Sequence, residues 1–187
     1  EIPQDLYGSF YRNGPDPQFP PLGQYHWFGG DGMVHAFHFE NGKVSYLNRW
    51  SRTSKWLQER KAGKSLIDGL NPMNSDPQWN PEGSDGTANT NIIFHAGKLL
   101  ALEEGHVPFE LDPITLESKG AYDYGGKLKS PMTAHPKIDP VSGDMYGFSY
   151  TAENFFSSKM SYFVINSLGE LKTYEEFEAP FASLVHD

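Results

Sequence analysis

Two histidines are the residues of this 187-residue chain that are best suited to chemistry. His135 stands between an alanine and a proline, and His186 is the penultimate residue; we predict that each lies at the end of a strand. Neutral imidazole is a ligand for iron, zinc, copper and nickel. Because the chain has no cysteine, a metal would bind through His, Asp or Glu. The two histidines are therefore candidate ligands of one metal ion.

The separation of these histidines suits a β-propeller. They are 51 residues apart, and one four-stranded blade of common propellers takes about 40–50 residues. The two side chains would then occupy equivalent positions in successive blades and face a central axis. Two histidines in hairpin loops, without a metal, would give the same spacing, so the spacing alone leaves both interpretations open.

Other polar residues give weaker signals. Glu103 and Glu104 close an apolar strand, where they are either solvated or directed into a site. His35 and His38 are three residues apart on a predicted strand, so they face opposite sides and cannot bind one ion together. The glycine-rich residues 26–32 are followed by no predicted helix, which favours a tight turn over a nucleotide-binding loop.

The elements that must position these residues are predicted to be mainly strands. The chain has 19 glycines, 14 prolines and 14% aromatic residues, a composition that favours turns and strands. The Asn41-Gly42 pair indicates a type I′ hairpin turn. Hairpins are predicted over residues 33–50, 92–102, 132–150 and 160–177. The fold class is therefore all-β, as a sandwich, a barrel or a propeller.

One short peripheral helix is predicted, over residues 52–70, from apolar residues that suit a single helix face. These residues are Trp56, Leu57, Ala62, Leu66 and Ile67.

Charge and hydropathy exclude two classes of partner or location. The formal net charge is −9 and no Lys/Arg cluster stands out, so we expect no nucleic-acid partner. No apolar run reaches the ~18 residues of a membrane-spanning helix.

Six motifs, taken together and in order, resemble the carotenoid cleavage oxygenase family. Gly29 departs from the family pattern, which often has Asp there. The resemblance implies a seven-bladed β-propeller with an iron on its axis, held by four histidines. It identifies residues 1–187 as the N-terminal part of one such domain, comprising the first few blades. The motifs are residues 11–15, 26–35, 88–91, 111–117, 133–137 and 185–187.

The resemblance also assigns roles to five residues. It makes His135 and His186 the first and second iron ligands, while the other two ligands belong to segments that this chain does not contain. It makes Glu104 the acceptor for the ring N–H of a ligand histidine, which fixes the tautomer of that ring. Thr90 is expected beside the open iron position, and Phe28 is expected to line an apolar substrate tunnel.

The implied function is cleavage of a C=C bond of a carotenoid or apocarotenoid by Fe(II) and O2, with two carbonyl products. The expected partners are a hydrophobic polyene, O2 and the remaining propeller segments. A cytoplasmic location with peripheral membrane contact is expected, because a carotenoid dissolves in membrane. We expect the isolated chain to be inactive, since two imidazoles do not make a four-ligand site.

Two alternatives remain at this stage. Related enzymes that cleave lignostilbenes carry a Tyr and a Lys that bind the substrate's phenol oxygen, and the matching positions here are Gly69 and Glu103. Glycine has no side-chain donor and an ionised Glu only accepts hydrogen bonds, which favours a polyene over a lignostilbene or phenylpropenoid. The second alternative is a non-catalytic β-propeller binding module whose histidines hold no metal.

Overall fold

The computed structural model describes residues 1–68, 71–150, 152–153, 157–181 and 185–186. Within these ranges the chain forms three antiparallel sheets and one α-helix. The first sheet contains β1 (Gly8–Pro15), β2 (Gly32–Glu40) and β3 (Lys43–Trp50). The second contains β4 (Asn91–His95), β5 (Lys98–Leu102), β6 (Phe109–Leu111) and β7 (Ser118–Ala121). The third contains β8 (Lys137–Ile138), β9 (Met145–Ser149), β10 (Lys159–Ile165) and β11 (Leu171–Glu178). The helix α1 spans Ser54–Ala62, and two 3₁₀ turns span Trp27–Gly29 and Pro72–Asn74.

Each sheet is a meander in which strands that are consecutive in sequence are also neighbours in space. The turn between β2 and β3 has φ of 51° at Asn41 and 68° at Gly42, which is the left-handed backbone that a type I′ turn requires. This turn matches the right-handed twist of its flanking strands, so a two-residue connection closes the hairpin. The predicted all-β fold and its hairpins are confirmed.

The hydrophobic core has two parts, one on each face of the second sheet. Leu99 and Ala101 of β5 pack in one cluster, and Leu100 and Leu102 pack in the other. Successive side chains of a strand point to opposite faces, so β5 is apolar throughout because both of its faces are buried. The first cluster includes Val34, Ala36, Phe109 and Leu111, and the second includes Met132, Met145, Phe163 and Ile165.

A buried group of three charges joins α1 to the loop before β2. Nζ of Lys55 lies 2.8 Å from Oδ1 of Asp31 and 2.9 Å from Oε2 of Glu59, and all three side chains are buried. Burial raises the pKa of Asp31, and the neighbouring Lys55 cation opposes that rise. Oε1 of Glu59 accepts the backbone N–H of Leu66 at 2.9 Å. Each charge therefore has the partners that a desolvated ion needs.

The helix differs from its prediction in length and in the side that it buries. It ends at Ala62, because Gly63 adopts a left-handed conformation and donates its N–H to the carbonyl of Glu59. Leu66 and Ile67 therefore lie outside the helix. Leu57, assigned to the apolar face, is 53% exposed, whereas the charged Lys55 on the opposite side is buried. The buried residues of α1 are Lys55, Trp56 and Glu59, so the helix buries an ion pair beside one aromatic side chain rather than an apolar stripe.

The two predicted ligand histidines do not lie at strand ends. His135 lies in a bend before β8, which begins at Lys137, and its N–H donates to Oγ1 of Thr133 at 3.2 Å. The adjacent Pro136 has no N–H for strand pairing, which explains why no strand includes this segment. His186 is also in no strand, and its neighbours Leu184 and Asp187 lie outside the described residues.

None of the helices within the described ranges combines the length and the apolar character needed to cross a membrane.

Truncating a side chain in the second core cluster tests this layered arrangement. Leu100→Ala, in the whole protein, is expected to lower the free energy of unfolding by about 2–5 kcal/mol, because a fully buried side chain is removed from between two sheets. Phe94→Ala on the adjacent strand is the control, since Phe94 is 57% exposed and its loss should change stability far less. Denaturant midpoints measure both. Equal losses for the two variants would contradict the packing.

Candidate active site

Four of the five residues singled out for function line one cavity. Phe28, Thr90, Glu104 and His186 surround a space of about 310 Å³, although they come from widely separated parts of the chain. A larger depression of about 690 Å³ lies over one face of the first sheet and is lined by His35 and other residues of β1 and β2. That depression holds none of the four, so the smaller cavity is the candidate site.

The end of the β4–β5 hairpin positions the polar side of this cavity. Thr90 immediately precedes β4, and its backbone N–H donates to the carbonyl of Leu102, the last residue of β5, at 3.0 Å. Glu103 and Glu104 follow directly. The buried strand therefore carries two carboxylates from the apolar core to the cavity, and the prediction that acids close this strand is confirmed.

A hydrogen bond joins Glu104 to His186. Oε1 of Glu104 lies 2.6 Å from Nδ1 of His186, across 82 residues of sequence. An ionised carboxylate only accepts hydrogen bonds, so Nδ1 carries the proton and Nε2 keeps its lone pair. The hydroxyl of Tyr150, which follows β9, donates to the other oxygen of Glu104. This is the arrangement in which a carboxylate orients a metal-binding imidazole.

Phe28 forms an apolar wall next to this pair. Its ring lies 5.8 Å from the ring of His186, at an interplanar angle of 76°. The 3₁₀ turn that carries Phe28 is held by Asn89, whose amide donates to the carbonyls of Phe28 at 3.0 Å and Gly30 at 2.7 Å. Asn89 is buried, and it belongs to a motif that the sequence analysis used for the resemblance without assigning a role to this residue.

A second carboxylate–imidazole pair lines the same cavity and was missed by the sequence analysis. Oε1 of Glu103 contacts Nδ1 of His106, and Oε2 of Glu103 accepts the N–H of Gly105 at 2.8 Å. Burial lowers the pKa of His106, but the hydrogen bond and charge of Glu103, with a contribution from Asp85, outweigh it and raise that pKa above its ordinary value. The spacing Glu-x-x-His at residues 103–106 is the sequence feature that could have indicated this pair.

His135 is not among the residues that line the cavity. The amide of Asn91, the first residue of β4, donates to the carbonyl of Ala134 at 2.8 Å and so fixes the neighbouring loop. Across the residues with described positions, no three His, Cys, Asp or Glu side chains form a group that could hold a metal ion. That His135 and His186 share one ion stays a prediction. His186 has the chemistry of a metal ligand, because Glu104 accepts the Nδ1 proton and Nε2 keeps an electron pair for a metal.

Comparisons with known proteins agree with these features. The sequence model of the retinal pigment epithelial membrane protein family matches residues 1–187. Lignostilbene-alpha,beta-dioxygenase isozyme III of Sphingomonas paucimobilis is 44% identical over 100% of this chain and 39% of its own length. The crystal structure of Pseudomonas brassicacearum lignostilbene dioxygenase is 41% identical, with a TM-score of 0.93 over 100% of this chain and 39% of that one.

A variant of Synechocystis apocarotenoid oxygenase also matches in structure. It is 32% identical, with a TM-score of 0.80 over 100% of this chain and 41% of that one. The chain therefore spans about two fifths of the length of its relatives. These matches confirm the predicted fold class, an all-β chain that is part of a β-propeller of the carotenoid oxygenase type. A family match over the whole chain, together with these relatives, shows that the chain belongs to the retinal pigment epithelial membrane protein family of carotenoid cleavage oxygenases.

Proposed function

We propose that the protein containing this chain is an iron-dependent dioxygenase that cleaves the C=C bond of a conjugated alkene with O2 to give two carbonyl products. The observation that carries this proposal is the Glu104–His186 hydrogen bond beside the ring of Phe28. The oriented imidazole of His186 could bind a metal, and the ring of Phe28 offers an apolar surface to an alkene in the same cavity. Membership of an oxygenase family supports the reaction class.

His135 and His186 would hold the iron, together with ligands from segments outside this chain. When bound, ferrous iron supplies the redox chemistry that O2 requires. The chain's own residues have separate tasks. Glu104 keeps the proton of His186 on Nδ1, and Tyr150 holds Glu104. Phe28 offers apolar contact to the alkene and excludes water from it.

The comparisons support one substrate class over the other. The two lignostilbene dioxygenases are 41% and 44% identical to this chain, and the solved one has a TM-score of 0.93; the apocarotenoid oxygenase is 32% identical, with a TM-score of 0.80. We therefore propose an aromatic alkene of the lignostilbene or phenylpropenoid class as the substrate.

A carotenoid or apocarotenoid is the second candidate. It is favoured by Glu103, which stands where the resemblance places a lysine in lignostilbene-cleaving enzymes. The matching position of the tyrosine, Gly69, lies outside the described residues. Glu103 binds His106 and Gly105, so a phenolate would find no lysine at this position.

A substrate comparison tests the proposed class. The whole protein, purified with its iron, should cleave 4-hydroxystilbene to aromatic aldehydes faster than it cleaves an apocarotenal, because the lignostilbene dioxygenases it resembles are more similar to it than the apocarotenoid oxygenase is. Chromatography of the aldehyde products measures both rates. Faster turnover of the apocarotenal would establish the second candidate instead. A protein that purifies without iron and cleaves neither compound would be a binding module.

Removing the charge of Glu104 tests the metal assignment. Glu104→Gln should weaken iron binding by roughly 10–100-fold, because the amide no longer favours the donor form of His186 Nδ1. His186→Ala should abolish iron retention. Equilibrium titration with Fe(II), with metal analysis of the dialysed protein, measures both effects.

The control for this test is Glu110→Gln. Glu110 lies on β6, outside the cavity, and pairs with Lys98 at 2.8 Å. The Glu110→Gln protein should bind iron with the affinity of the wild type. Unchanged iron affinity in Glu104→Gln, or an equal loss in Glu110→Gln, would contradict the assignment.

A further inference from the structure

We propose that His106, held by Glu103, determines specificity by binding a hydroxyl group at the end of the substrate. The inference rests on the proposed function and specifies which part of the substrate the cavity recognises. It assigns a role to a pair of residues that the cleavage reaction itself does not use.

The Glu103–His106 pair lies in the candidate cavity. His106 lines the same cavity as His186, Glu104 and Phe28. The His106 side chain is 33% exposed, while the Glu103 side chain is 17% exposed. Both residues therefore line the space where the proposed alkene would lie, and the imidazole is the more exposed of the two.

Both carboxylate oxygens of Glu103 already contact groups of this chain. One contacts Nδ1 of His106, and the other accepts the N–H of Gly105 at 2.8 Å. A carboxylate with two internal donors acts on a substrate through the imidazole that it holds. Within the part of the chain that the structure describes, Glu103 is the hydrogen-bond partner of the His106 ring, and Nε2 is available to a ligand.

A glycine next to the pair leaves room for both side chains. Gly86 has φ of +77°, and a Cβ atom there would lie 2.4 Å from Oε1 of Glu103 and 2.6 Å from Nδ1 of His106. Both distances are too short for any real contact. The Glu103 carboxylate and the His106 ring therefore occupy space that a side chain at position 86 would need.

The chemistry of the ligand follows from the tautomer. Because the carboxylate accepts from Nδ1, the neutral ring presents a lone pair at Nε2, which accepts a hydrogen bond from an O–H group. The protonated ring presents an N–H instead, which binds the corresponding oxyanion. A phenolic hydroxyl satisfies both forms. Its methyl ether has no proton to donate and carries no charge, so we expect the ether to bind about 10-fold more weakly.

Binding of a matched pair of inert ligands tests the role of His106. The probes are 4-hydroxybibenzyl and 4-methoxybibenzyl, which lack the alkene and cannot be cleaved. The whole iron-loaded protein should bind the hydroxyl compound about 10-fold more tightly. His106→Phe should bind both compounds equally, at the wild-type affinity for the ether. Calorimetric titration gives the four dissociation constants.

A second variant and a control separate recognition from folding. In Glu103→Gln the amide oxygen can still accept the N–H of Gly105, but the amide NH2 donates to Nδ1 and moves the ring proton to Nε2. The preference for the hydroxyl compound should therefore fall while the fold is retained. His35→Phe is the matched control, because His35 bonds Tyr46 at 2.7 Å on the first sheet, away from the cavity. It should keep the wild-type preference.

Several outcomes would overturn the proposal. They are equal binding of the two probes by the wild type, an unchanged preference in His106→Phe, an equal loss of affinity for both probes, and no binding of either. Cleavage of 4-hydroxystilbene by the wild type is measured in parallel. Cleavage without any hydroxyl preference rejects the role of His106 and leaves the proposed function standing, whereas absence of 4-hydroxystilbene cleavage rejects the proposed aromatic substrate class.

Discussion

The burial of β5 on both faces is the constraint on which the arrangement of the site depends. Leu99 to Leu102 are each at most 1% exposed, because two sheets cover the strand from opposite sides. A strand fixed in this way has little freedom at its end. Glu103 and Glu104 therefore leave the core at a defined position. The apolar packing of the second sheet thus determines where negative charge enters the cavity.

Glu103 and Glu104 each hold the ring of one histidine. Each holds an imidazole by Nδ1 and is itself held by a further donor, Tyr150 for Glu104 and the Gly105 N–H for Glu103. One imidazole comes from 82 residues away and the other from three. Two adjacent glutamates that follow one strand therefore orient two histidines, each through its Nδ1.

Local signals predicted much of the fold and little of the site. The turn at Asn41-Gly42 depends on backbone preferences of two residues, and the structure has that turn. The helix was predicted too long because apolar spacing continued past Gly63, whose left-handed conformation ends it. Strand ends at His135 and His186 were predicted wrongly, since Pro136 interrupts strand pairing and β11 ends well before His186.

The contacts of the site are long-range, which explains why spacing alone could not supply them. The Glu104–His186 bond joins residues whose neighbourhood depends on two sheets packing together, and only the family resemblance pointed to it. The contact of His106, in contrast, could be read from local sequence. Its contact with Glu103 is local and readable from Glu-x-x-His, but the pattern has meaning only once the strand end is known to face a cavity.

The buried charges behind the loop of Phe28 constrain how this protein can change over evolutionary time. Lys55 neutralises Asp31 and Glu59 together, and removal of one partner from a buried ion group costs about 3–5 kcal/mol because the others remain desolvated. We therefore expect single substitutions at these positions to be selected against and joint replacement by apolar residues to be tolerated. Across relatives the three positions should covary as one unit, so an alignment would carry a record of this contact even though none of the three lines the cavity.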